Sequence, residues 1–223
     1  MHIISLALAF LFTLTITAAT PIPAAVEPRL DLSTTRNGLK NGVCKAVTVI
    51  FARGTFEAGN VGLLAGPPFF DALQKLIGSD NLAVQGVDYA ASLEGYLEGG
   101  DPEGANTTAS LVNLAASKCP NTQIVLSGYS QGAQVIHLAV KTASSSTFTP
   151  ITTSALEKVA AVVLFGDPDE DQSLPGIAES DVETFCAKDD LICDGLPIPL
   201  PAHLSYADDA DNAAEFVEGK ISL

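Results

Sequence analysis

The chain has 223 residues, 47% of them apolar, with 26 acidic against 11 basic side chains and a net charge of −15. That length supports one substantial domain. The acidic excess would repel phosphate backbones, which argues against nucleic acid as a partner, and it keeps a protein soluble.

Residues 1–19, "MHIISLALAFLFTLTITAA", combine a short leading region, an apolar core from Ile3 to Ile16 and small residues at Ala18 and Ala19. The pattern reads as a secretory signal peptide. The apolar run falls short of the roughly 18–20 residues needed to span a bilayer, so no stable membrane insertion is expected. Residues 20–43 lack helical or strand periodicity and are dotted with Pro, Thr and Gly, as in an N-terminal tail or propeptide. The domain proper is expected over 44–223.

Within it, strand-like apolar runs recur at Ala46–Phe51, Leu82–Val87, Gln123–Ser127, Ala160–Phe165 and Asp181–Cys186. Segments with helical spacing lie between them: "PPFFDALQKLIG", "TTASLVNLAASK", "AQVIHLAVKTA" and the closing acidic "SYADDADNAAEFVEGK". Strands alternating with helices predict an α/β fold, a mostly parallel sheet covered on both faces. Such sheets place their sites beyond the carboxyl ends of the strands.

At 128–132 one strand meets "GYSQG" and a helix follows at once. Gly-x-Ser-x-Gly is cheap alone, but between strand and helix it has the setting of a nucleophile elbow. The turn strains Ser130 and pushes its hydroxyl out above the sheet, and the glycines avoid Cβ collisions. The serine needs a base, and the chain has three histidines. His2 leaves with the signal peptide. His137 lies seven residues on, about 10 Å along the helix at 1.5 Å per residue, too far to reach Ser130. His203, in "LPIPLPAHLSYA", remains. The carboxylate that orients it falls between serine and histidine in the hydrolase order, among Asp167, Asp169, Asp171, Asp189, Asp190 and Asp194. "CAKDDLIC" follows a predicted strand and would form a small rigid loop, where Asp189 and Asp190 are not separable from sequence. Asp167 in "GDPDED" competes with them.

Four cysteines remain behind the signal: Cys44, Cys119, Cys186 and Cys193. An even count in an exported chain implies two disulfides. A local Cys186–Cys193 bridge is the simplest of three pairings and leaves Cys44 with Cys119. On the loop-entropy scale these contribute roughly 2–3 and 4–5 kcal/mol. A zinc site would need paired C-x-x-C spacing and nearby histidines, which are absent.

Taken together, "FARGTFEAGN", "GYSQGA", "CAKDDLIC" and "PAHLSY" closely resemble the fungal cutinase family of secreted serine esterases, from about Cys44 to Phe216. The resemblance implies a three-layer, lidless α/β-hydrolase with a five-stranded sheet. It implies Ser130 as nucleophile, Asp190 as acid and His203 as base, the disulfides Cys44–Cys119 and Cys186–Cys193, and an oxyanion hole at Thr55 and Gln131. Thr55 stands where relatives commonly carry serine, and the asparagine that often orients that hydroxyl is missing. Arg53 and Glu57 beside it read as a structural pair. The implied substrate is cutin, a hydroxy fatty acid polyester, or other aliphatic esters, cleaved without cofactor or metal by a secreted, extracellular monomer. "ASLEGYLEGG" and "DGLPIPLPAH" would rim the site with Leu93, Tyr96, Leu97, Leu196, Ile198 and Leu200. Asn106-Thr107-Thr108 is a glycosylation sequon close to that rim. Alternatives are an acetylxylan esterase of the same architecture, or a non-catalytic surface or host-recognition module on a hydrolase scaffold.

Overall fold

The computed structural model describes residues 33–141 and 149–223. The expected signal peptide, residues 20–32 of the expected tail, and 142–148 lie outside the described residues.

Five strands, β1 (Val47–Ala52), β2 (Leu82–Gly86), β3 (Gln123–Tyr129), β4 (Val159–Phe165) and β5 (Val182–Phe185), form one sheet in the order β2-β1-β3-β4-β5. Every pairing is parallel. The three central strands are near-continuous apolar runs because both of their faces are covered. Alternate β1 residues serve opposite cores. Val47, Val49 and Phe51 pack under α1 (Gly66–Ile77) and α6 (Ala210–Glu218), whereas Ile50 and Ala52 pack under α3 (Pro102–Lys118) and α4 (Gln131–Lys141). The result is a three-layer α/β/α sandwich. Two short helices, α2 (Leu93–Leu97) and α5 (Thr153–Leu156), complete the set among the described residues. Among the described residues no helix is long and apolar enough to cross a membrane.

Several boundaries differ from the sequence reading for local physical reasons. Helix α3 begins five residues before the predicted Thr107, because the Asp101 carboxylate accepts the Gly104 N–H at 2.7 Å and Pro102 occupies the first turn. The segment read as a rim loop contains α2, capped by Ser92 Oγ accepting from Gly95 N. The closing helix starts only at Ala210, after two 3₁₀ turns at Pro201–Leu204 and Tyr206–Asp209.

Residues 33–43 are packed, unlike the tail expected there. Asn37 bridges Gln85 in antiparallel fashion, Gly38 N donates to Val84 O at 2.9 Å, and Leu39 is fully buried. Buried Asn60 and Gln85 receive this segment: Asn60 Oδ1 accepts from Arg36 N and Gln85 Oε1 from Lys40 N. The strip pairs the open edge of β2, which would otherwise present unpaired backbone groups.

The strand order sets the location of the site. From β1 the chain crosses to β2 on one side and returns to β3 on the other, so the carboxyl ends of β1 and β3 bound the crevice where the connections diverge.

Candidate active site

Ser130 sits between the last residue of β3 and the first of α4 with φ of 57°, a left-handed conformation that is costly for a residue with a side chain. Its N–H is tied to Phe165 O at 2.9 Å. Both flanking glycines are required by close approach. A Cβ on Gly128 would lie 2.4 Å from the Gly132 carbonyl, and one on Gly132 would lie 2.0 Å from Ala52 O.

His203, on the 3₁₀ turn after the proline-rich segment, places Nε2 2.9 Å from Ser130 Oγ and Nδ1 2.7 Å from Asp190 Oδ2. All three residues are buried. The imidazole lies beside the Tyr129 ring at 5.1 Å, and the Tyr129 hydroxyl donates to His203 O at 2.7 Å. Gly166, with φ of 54°, forms the floor beneath it, where a Cβ would come within 2.8 Å of His203 Cε1. Burial raises the Tyr129 phenol well above its ordinary range, so it stays a neutral donor.

Asp190 hangs from the loop closed by the Cys186–Cys193 disulfide; the other bridge is Cys44–Cys119. Asp189 adopts φ of 69° and is exposed, turning the chain so that Asp190 faces inward. Asp190 Oδ1 accepts Ile192 N at 3.0 Å, and Oδ2 also accepts the Tyr206 hydroxyl. The competing Asp167 is engaged elsewhere. Its Oδ2 lies 2.8 Å from His137 Nε2 and its Oδ1 accepts Asp169 N. His137 is thus a packed residue, paired in the core.

Thr55 and Ser130 line one mostly apolar cavity of about 270 Å³. Gln131 opens α4, and first-turn N–H groups have no intrahelical partner. The Thr55 loop is held by one side chain that sequence reading placed differently. Glu57 Oε2 accepts Gly54 N at 2.8 Å, and Oε1 accepts Leu63 N at 2.8 Å and Leu64 N at 3.0 Å. Arg53 does not pair with that carboxylate; its Nε donates to the Glu57 backbone carbonyl and its Nη2 to Tyr89 O.

Of the expected rim, Leu93 and Tyr96 line the cavity. Leu196, Ile198 and Leu200 are exposed, and it is the intervening Pro197 and Pro199 that wall the cavity. In an extended segment alternate residues face opposite ways, and the prolines took the inner phase. Leu97 is 64% exposed and lies outside the lining. Phe56, Leu64, Ile192 and Leu204, which the sequence did not single out, complete the wall. Phe56 is left-handed at φ 62° and 79% exposed, an aromatic held in the open beside Thr55. Asn106 lies within α3 and its Oδ1 accepts Thr149 N; Thr108 of the sequon is fully buried with its hydroxyl bonded to Gly104 O.

Comparison with known proteins places this arrangement. The family model described as Cutinase matches residues 43–221. A cutinase of Botryotinia fuckeliana is 41% identical over 202 residues, 91% of this chain and 96% of that protein. Among solved structures, a Trichoderma reesei cutinase in complex with a C11Y4 phosphonate inhibitor is 41% identical with a TM-score of 0.77, covering 86% of this chain and 82% of that one. An acetyl xylan esterase is 22% identical with a TM-score of 0.61, covering 80% and 100% respectively, and shares the fold.

Proposed function

The chain belongs to the cutinase family of ester hydrolases, and on that premise we propose that Ser130 is the nucleophile of an acyl-enzyme reaction on cutin and related aliphatic esters. The observation that carries the reading is the continuous relay from Ser130 Oγ through His203 to Asp190, at 2.9 and 2.7 Å, opening into an apolar cavity.

A carboxylate only accepts, so Asp190 fixes the His203 proton on Nδ1 and leaves Nε2 free to take the proton of Ser130. As Oγ attacks the ester carbonyl, the imidazolium is stabilised by Asp190. Charge on the carbonyl oxygen is met by the N–H of Gln131 and by Thr55. His203 returns the proton to the departing alcohol, and a water molecule repeats the sequence to release the acid. The apolar lining suits aliphatic chains rather than the sugar side of an acetylated polysaccharide. Two disulfides and the signal-like N-terminus support secretion, and we assign the protein as an extracellular monomer.

A fluorophosphonate probe should label the wild-type protein and fail to label Ser130→Ala; labelling that survives the substitution defeats the assignment. Release of hydroxy fatty acids from cutin, measured beside release of acetate from acetylated xylan, should favour cutin. The reverse preference would assign the protein to the polysaccharide esterases, and no turnover of p-nitrophenyl butyrate would leave a recognition module.

A further inference from the structure

We propose that Tyr206 is a positioning residue of the proton relay, whose hydroxyl holds Asp190 and sets the pH at which His203 becomes protonated. The proposal rests on the reading of Ser130, His203 and Asp190 given above.

The direction of the bond follows from counting hydrogens. The Tyr206 oxygen accepts the Ala187 N–H at 3.1 Å, and the phenol has one proton to give. That proton goes to Asp190 Oδ2, the same oxygen that accepts from His203 Nδ1. Tyr206 is only 1% exposed and is fixed by rings on three sides, with Tyr129 at 5.8 Å, Phe165 at 6.1 Å and the His203 imidazole edge-on at 6.0 Å. The hydroxyl cannot readily exchange Asp190 for water. Burial and the Asp190 bond raise its pKa far above the ordinary phenol range, so it remains a donor throughout the working range.

A second donor on one carboxylate oxygen draws charge away from the first. With Tyr206 in place, Asp190 stabilises the His203 imidazolium less than an unshared carboxylate would. Removing the hydroxyl concentrates the charge on the His203 bond and keeps the imidazole protonated to higher pH. Other groups also face Asp190. Tyr96 on α2 and Tyr129 on β3 are held neutral by burial, and Glu170, on the loop after β4, is raised by burial and by its acidic neighbours. Lys188, Asp189 and Asp194 of the acid's own loop are exposed. Glu170 is the carboxyl among these whose pKa is raised, and Glu170→Gln serves as the control.

The experiment is the pH dependence of kcat/KM for p-nitrophenyl butyrate, with melting temperature and fluorophosphonate labelling measured in parallel. Tyr206→Phe should move the acid limb up by about 0.5 to 1 pH unit, in Glu170→Gln as in the native background. 3-Fluorotyrosine at 206, a stronger donor, should move it down. A lowered plateau with an unmoved limb means packing alone and overturns the proposal, as do shifts of the same sign in both variants. Should Tyr206→Phe fail to fold, the fluorotyrosine arm decides. A flat wild-type profile over pH 5–8, or no labelling of the wild type, would instead defeat the underlying assignment of His203.

Discussion

Gly132→Ala tests whether the elbow and the oxyanion loop are set by one contact. The new Cβ would lie 2.0 Å from Ala52 O, 2.6 Å from Ala52 C and 2.8 Å from Arg53 O. Ordinary contact begins near ~3.4 Å, so the backbones must separate by more than about 1 Å. Neither side yields easily: Ala52 is paired in register with Gly128, and nearly all of α4 is buried. The displacement falls where β1 gives way to Arg53, Gly54 and Thr55. It therefore moves Thr55, the proposed oxyanion donor, relative to Ser130, and misplacement by about 1 Å is enough to cost roughly 100-fold. We expect kcat on p-nitrophenyl butyrate to fall about 100-fold, with KM changed by no more than about 3-fold. Overpacking should cost about 1–3 kcal/mol, lowering Tm by roughly 2–12 °C. Gly219→Ala is the matched control, since its Cβ would meet nothing closer than 3.6 Å. A Gly132→Ala enzyme with near-native kcat and Tm would refute the claim that this contact sets the site.

Two further outcomes follow from the same geometry. Glu57→Gln replaces one of two acceptor oxygens with a donor, so at least one of the N–H groups of Gly54, Leu63 and Leu64 loses its partner. The loop should loosen by about 1–3 kcal/mol. Steady-state kinetics should show kcat falling about 10-fold or more at near-constant KM; a change confined to KM would place Glu57 in substrate binding instead. Thermal stability should gain a contribution from three carboxyl groups as pH falls through their raised folded-state pKa values. Burial raises Asp169, Glu170 and Asp209, so the folded state binds protons first and their contribution to stability is lost as pH rises through the folded pKa values. Asp88 acts oppositely. Burial pushes it up, but hydrogen bonds from Lys40 and Asn60 outweigh this and lower it, so its contribution is lost only as pH falls through that lowered value. Replacing Asp169 and Asp209 by Asn and Glu170 by Gln together should remove that acid-side gain in Tm, and a Tm–pH profile unchanged by the three substitutions would contradict the assignment.

The strands were legible because a sheet buried on both faces demands near-continuous apolar runs, and β1, β3 and β4 supply them with few polar interruptions. That Ser130 and His203 would meet was legible because few side chains suit the proposed chemistry and the chain has three histidines. Physics could not choose between Asp189 and Asp190, since adjacent residues in a turn point opposite ways and the left-handed Asp189 decides which faces inward. The same ambiguity of phase hid the inner prolines of 196–200, whose alternation was plain but whose inner face was not. The starts of α2 and α3 were written locally, in Ser92 and in Asp101-Pro102, but the surrounding glycines suggested loop. Glu57 and Tyr206 are a different case. Their partners are a backbone N–H of Gly54, a pair of N–H groups six and seven residues on, and a carboxylate 16 residues upstream. Any of several polar side chains could satisfy such groups, so residue type alone carries no signal there. The residues of the proposed relay are thus readable where chemistry narrows the choice of residue. The groups that hold those residues still become visible only once the chain is folded.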